Sequence, residues 1–180
     1  MADLLTHVLV AYVLATALSF RYEWLTAPYV TAAMVGAIVS DLSRTSLLLP
    51  DARIEAVFGV PWDWFAFHTL GGGLLAIAIG ALCTTSEHRR RVFTLLLLGL
   101  CSHLLLDALL FKPSGYAAML LWPLTATHPP AGGLYLSSDR WPALLAGVVA
   151  AVTWYVRRRV PRPSASGSGS GSGPGSTSEP

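Results

Sequence analysis

The chain has 180 residues, of which 53% are hydrophobic and only 12% charged, and a formal net charge of +2. Its mean hydropathy is +0.56. Soluble domains carry about 25% charged residues, so this composition cannot cover a water-facing surface, and the small net charge argues against a nucleic-acid partner.

A helix needs about 20 mostly apolar residues to cross the hydrocarbon core, within a range of about 17 to 25. Five runs come near that length: 3–20, 22–40, 64–83, 92–111 and 141–156. Met1-Ala2-Asp3 has no positive charge, and no small-x-small cleavage site stands out, so the first run is expected to be a retained span. Between the second and third runs, Pro50 opens a short predicted helix with Ile54, Val57 and Phe58 on one side, suited to lie along the interface. Residues 115–123 are apolar but too short to span, and are read as re-entrant or interfacial. Cys83 and Cys101 both fall inside apolar runs, against a disulfide framework or a four-cysteine zinc site. The expected fold is therefore all-α: an integral membrane bundle of about five transmembrane helices over residues 1–160. A disordered Ser/Gly/Pro-rich tail, 161–180, follows it.

Span order sorts the basic residues. Arg21, Arg89, Arg90, Arg91, Arg157, Arg158, Arg159 and Arg162 fall on one side; Arg44, Arg53, Lys112 and Arg140 fall on the other. The positive-inside rule places the first side, with the C-terminal tail, in the cytoplasm of a multi-pass cell-membrane protein. Tryptophans mostly sit at span edges, as an aromatic belt does.

The same order gathers the buried-type polar residues. His7 begins span one, Asp41 follows span two, His68 lies one turn into span three, and His103 and Asp107 lie late in span four. All five map to one layer, on the side opposite the group of eight arginines. A carboxylate at the centre of a membrane helix costs about 2.5–3.5 kcal/mol on insertion scales, so Asp107 needs partners even off-centre. His103 and Asp107 are i, i+4 and share a helix face. Imidazole and carboxylate suit zinc, iron, nickel or manganese, and an open position on such a site makes it catalytic. Each residue also has an ordinary reading: an interhelical hydrogen bond for His7, a cap for Asp41. His88 and His128 are read as solvated loop or end residues, and Gly71-Gly72-Gly73 as close helix packing.

The elements Thr6-His7, Gly36-x-x-x-x-Asp41, Phe67-His68-Thr69-Leu70, His103-x-x-x-Asp107 and Trp122-Pro123-Leu124 occur in this order. The chain thereby resembles the predicted membrane-bound metal-dependent hydrolases, a family also described as LexA-binding and inner-membrane-associated. The resemblance covers residues 1–156. Ser43 stands where the family often has a second aspartate, and Pro61 to Phe65 where it often has His-Arg-Gly.

Residues and resemblance together suggest a metal-dependent hydrolase, with a divalent ion such as zinc held by His7, Asp41, His68, His103 and Asp107. Asp41 doubles as the candidate general base. The substrate expected from a site at interface depth is a lipid or other membrane-proximal ester or phosphoester. The alternative is a non-catalytic membrane protein using the same cluster for structural metal binding or for ion or proton transfer. Besides the bilayer itself, the sequence names no partner and fixes no oligomeric state.

Overall fold

The structure is a computed structural model that describes residues 4–159. Residues 1–3 and 160–180 are outside the described residues, and the expected disordered tail falls among them. The described residues form six α-helices and two 3-10 stretches. The helices are α1 (Leu4–Leu18), α2 (Ala27–Val39), α3 (Asp51–Phe58), α4 (Leu70–Leu82), α5 (Ser86–Ala108) and α6 (Trp141–Arg159). One 3-10 stretch, Ser40–Leu47, continues α2; the other, Trp64–His68, precedes α4. Among the described residues there is no strand, only the isolated bridges Leu110–Tyr135 and Tyr116–Pro130. The all-helical expectation therefore holds.

Each of the five expected spans contains a helix, but the boundaries differ. By length and composition α5 alone among the described helices suffices to cross a membrane; α2 with its 3-10 continuation and α3, joined at an 83° bend, makes a second candidate if counted as one unit. Helices α1 and α4 have only 15 and 13 residues. The shortening has local causes. Thr69 is extended (φ −109°, ψ 160°), which splits the third run into a 3-10 stretch and α4. His68 thus ends the 3-10 stretch, and does not lie one turn inside a continuous helix as expected. Downstream of Thr26, Pro28 occupies the first turn of α2, where its missing N–H would be unpaired in any case.

Helix α5 is the hub of the bundle, packing against α1, α2 and α4. Its contact with α2 is unusually close because both sides are glycine. A methyl on Gly36 would collide with the Leu96 carbonyl, and one on Gly99 with the Ala33 carbonyl. On the other flank, Leu100 and Leu104 pack with Ile77 of α4 and with Ala117 and Leu120 of the long loop. Residues 115–123 form turns, not a helix. Their carbonyls serve α4: Leu120 O accepts from Leu70 N (2.7 Å) and Trp122 O from Gly71 N (2.8 Å). Thr69 Oγ1 accepts from Gly72 N (3.3 Å), so three N–H groups at the head of α4 are paired without water.

The surface pattern is inverted relative to a soluble bundle. Outward positions include Leu75, Ile79, Leu105, Leu144, Val148 and Val152, whereas His7, Ser40, Asp41, His68, Ser102, His103 and Asp107 are buried. At one end Arg91 lies over the Trp24 ring (5.2 Å) and Tyr29 Oη meets His88 Nδ1 (2.9 Å). These contacts place the α1–α2 and α4–α5 turns at the same end of the bundle.

The glycine contact predicts a contrast between two like substitutions. Gly36→Ala forces α2 and α5 apart and is expected to destabilise by the ~1–3 kcal/mol typical of overpacking. A methyl on Gly80 meets only Leu96 Cδ1, at 3.8 Å, so Gly80→Ala should be neutral or gain up to ~1 kcal/mol. Denaturation in detergent reads both, and equal losses would refute the close-approach account.

Candidate metal centre

Three helical elements converge at the end of the bundle opposite Arg89, Arg90 and Arg91. His7 comes from the second turn of α1, His68 from the end of the second 3-10 stretch, and His103 and Asp107 from the last turns of α5. All four are at most 3% exposed. Asp107 is the centre. Its Oδ1 lies 3.4 Å from His7 Nε2, and its Oδ2 lies 2.7 Å from His68 Nε2 and 3.9 Å from His103 Nε2. The His7 and His103 rings stack at 3.9 Å with a 21° tilt, and His68 meets His103 edge-on at 5.3 Å.

The tautomer of His103 follows from its other nitrogen. Nδ1 lies 2.7 Å from the Ala37 carbonyl, which can only accept, so Nδ1 carries the hydrogen and donates it. Neutral His103 then presents a lone pair at Nε2, toward Asp107. Ala37 is available because it lies in the last turn of α2, where α-helical carbonyls run out of i+4 donors. The close α2–α5 approach at Gly36 and Gly99 brings that carbonyl within reach.

His103 Nε2 and His7 Nδ1 are buried without a hydrogen-bond partner among the described residues, while His7 Nε2 approaches Asp107 Oδ1. A buried polar group left unmatched costs about 1–3 kcal/mol, a demand that a cation at this position would meet. Ligand bonds of about 2.0–2.2 Å at tetrahedral angles put ligand atoms about 3.3–3.6 Å apart, a range that includes the 3.4 Å separation of His7 Nε2 from Asp107 Oδ1. His7, His103 and Asp107 offer one ligand atom each, all within 4.8 Å of one another. The donor set therefore fits a divalent ion. His68 belongs to the cluster through its short contact with Asp107 but stands outside that group of three.

Asp41 is placed differently from the other expected ligands. It is buried in the same layer as His7, His68 and Asp107. Its Oδ1 is held by Arg44 Nε at 2.8 Å, three residues on in the 3-10 stretch. Its Oδ2 is buried with no hydrogen bond among the described residues. Ser43, at the family's second acidic position, and Ser40 are buried beside it with unpaired hydroxyls. His88 and His128 are exposed and stay outside the cluster.

Two contributors were not singled out from the sequence. Arg44 has a signal in hindsight, the i, i+3 spacing from Asp41. Tyr135 has none: it sits in the long loop, yet its buried Oη donates to Leu106 O (2.8 Å) beside Asp107. Burial, reinforced by the Asp107 charge, pushes the Tyr135 phenol up to about 12, so it remains a donor. The surrounding loop clasps the end of α5 further: Gly132 N bonds Ala108 O (2.8 Å) and Leu134 N bonds Leu109 O (2.9 Å). Tyr135→Phe should lower stability by ~0.5–1.5 kcal/mol, the worth of one hydrogen bond, in thermal unfolding of the detergent-solubilised protein. An unchanged midpoint would show that the clasp does not depend on this bond.

No curated protein and no solved structure matches the chain. A family model described as YdjM inner membrane protein matches residues 1–166. That description names a membrane location and no reaction, in keeping with the apolar exterior and the buried polar layer. Because the match embraces every helix and every residue of the cluster, the chain belongs to the YdjM inner membrane protein family.

Proposed function

We propose that the protein is a multi-pass membrane metal-dependent hydrolase acting on a membrane-proximal ester or phosphoester. The observation that carries the reading is the set of imidazole nitrogens around Asp107, with His103 locked by Ala37 so that its lone pair faces the carboxylate. A ligating histidine that donates its other N–H to a backbone carbonyl is the usual arrangement at protein metal sites.

In this reading His7, His103 and Asp107 hold a divalent ion, with zinc first among those that suit the donors. His68 binds the remaining carboxylate oxygen or joins as a further ligand. The ion supplies Lewis acidity toward a carbonyl or phosphoryl oxygen. Asp41 is the general base through Oδ2, while Arg44 holds Oδ1 and fixes the carboxylate plane.

The membrane arrangement supported by this pattern is a single domain, residues 1–160, with five passes: α1, α2 with its 3-10 continuation, the second 3-10 stretch with α4, α5, and α6. Apolar outward faces on short helices support it, as does the arginine-rich end formed by the α1–α2 and α4–α5 turns and the tail of α6. The arginine end faces the cytoplasm and the cluster faces the other way. A reporter active only in the periplasm and fused after Arg159 should be silent; activity there would reverse the orientation.

One observation favours a non-catalytic second reading, a structural metal site or an ion or proton relay. Ser43 lacks the acid the resembled family often has, and one oxygen of Asp41 is already engaged. Two variants separate the readings. Metal analysis of detergent-purified protein is expected to find stoichiometric metal in the wild type and loss in His103→Ala. Asp41→Asn should keep the metal while turnover of phospholipid or generic phosphoesters falls ~10²–10⁴-fold. Wild-type protein free of metal after metal-supplemented growth would sink the metal reading; bound metal without turnover would favour the second.

A further inference from the structure

Helix α3 leaves the bundle at 83° to the helix before it. It is an elbow with an apolar tip. Its carboxylates are spent on backbone: Asp51 Oδ1 accepts from Trp64 N and Glu55 Oε1 from Trp62 N, both at 3.1 Å. The outward side carries Leu47, Leu48, Val57, Phe58 and Val60, between 50% and 86% exposed. Trp62 and Trp64 pack edge-to-face at its foot (5.2 Å), and Trp64 Nε1 donates to Leu49 O (2.8 Å), which ties the elbow to the 3-10 stretch bearing His68. The other arm of the elbow is the 3-10 stretch bearing Asp41 and Arg44.

We infer that this elbow is an interfacial anchor whose occupant is the bilayer: α3 lies along the membrane surface on the side of the cluster, with Val57, Phe58 and the Leu47-Leu48 pair buried in the headgroup and acyl boundary. Three observations choose lipid over another protein. The family is an inner membrane family. A helix turned 83° from one that follows the membrane normal runs parallel to the surface. Tryptophans at the foot of an apolar tip are the residues that favour headgroup depth. Both arms lead to the cluster, so the anchor sets how deep the candidate site sits in the leaflet. The inference rests on the membrane placement and is independent of any metal or hydrolysis.

The test uses the full chain carrying Cys83→Ser and Cys101→Ser, both native cysteines being free and exposed, with Phe58→Cys, or Leu48→Cys as a second variant, labelled with an environment-sensitive nitrobenzoxadiazole dye. The protein is reconstituted in vesicles of phosphatidylethanolamine and phosphatidylglycerol. The expected result is blue-shifted emission that lipid-borne spin labels quench, most strongly those ~5–10 Å below the headgroups. Emission at the wavelength of free dye, quenched by aqueous iodide, would overturn the anchor. So would a blue shift insensitive to lipid spin labels and lost on diluting the protein in lipid, which would assign the face to a second copy of the chain.

Discussion

A carboxylate held inside an apolar bundle dictates much of the rest of this structure. Asp107 is 3% exposed, and neither lipid nor hydrocarbon side chains can stabilise its charge. Two imidazoles from different segments, His7 and His68, stand nearest its two oxygens, and His103 closes the layer from α5 itself. Each must arrive from its own direction, which obliges α1, the 3-10 stretch before α4 and the end of α5 to meet at one depth. The bundle is thus organised from its polar layer outward, with leucine and valine left for the exterior.

That convergence depends on how near the helices can come. Two glycines let the backbones of α2 and α5 touch, and the touching places a carbonyl of one helix against a histidine of the other. Packing and protonation state are therefore one fact: the same contact that brings the helices together decides which nitrogen of His103 bears its hydrogen. Ala37 lies in the last turn of α2, just before the 3-10 stretch begins at Ser40.

Much of this was legible in the sequence because it rests on order and periodicity. Five apolar runs each hold a helix, the short helix after Pro50 is present, and alternating spans alone put His7, His68, His103 and Asp107 in one layer. Short-range chemistry escaped. The break at Thr69 comes from a side-chain cap and loop carbonyls that receive α4's first N–H groups, and the loop lies some fifty residues downstream of it. The diversion of Asp41 toward Arg44 depends on 3-10 winding, which no hydrophobic pattern reveals. Tyr135 escaped because a loop residue carries no periodic signal, and its role exists only once the loop has folded back.

That fold-back has a consequence for the order in which the molecule is completed. All the candidate ligands have been synthesised by residue 107, yet the helix end carrying two of them is fastened by Gly132, Leu134 and Tyr135. A nascent chain that has delivered every histidine to the bilayer still holds an unclasped α5, free to fray at the turn bearing Asp107. The centre is therefore complete only with the segment ahead of α6 in place, which makes that last stretch of loop its latch.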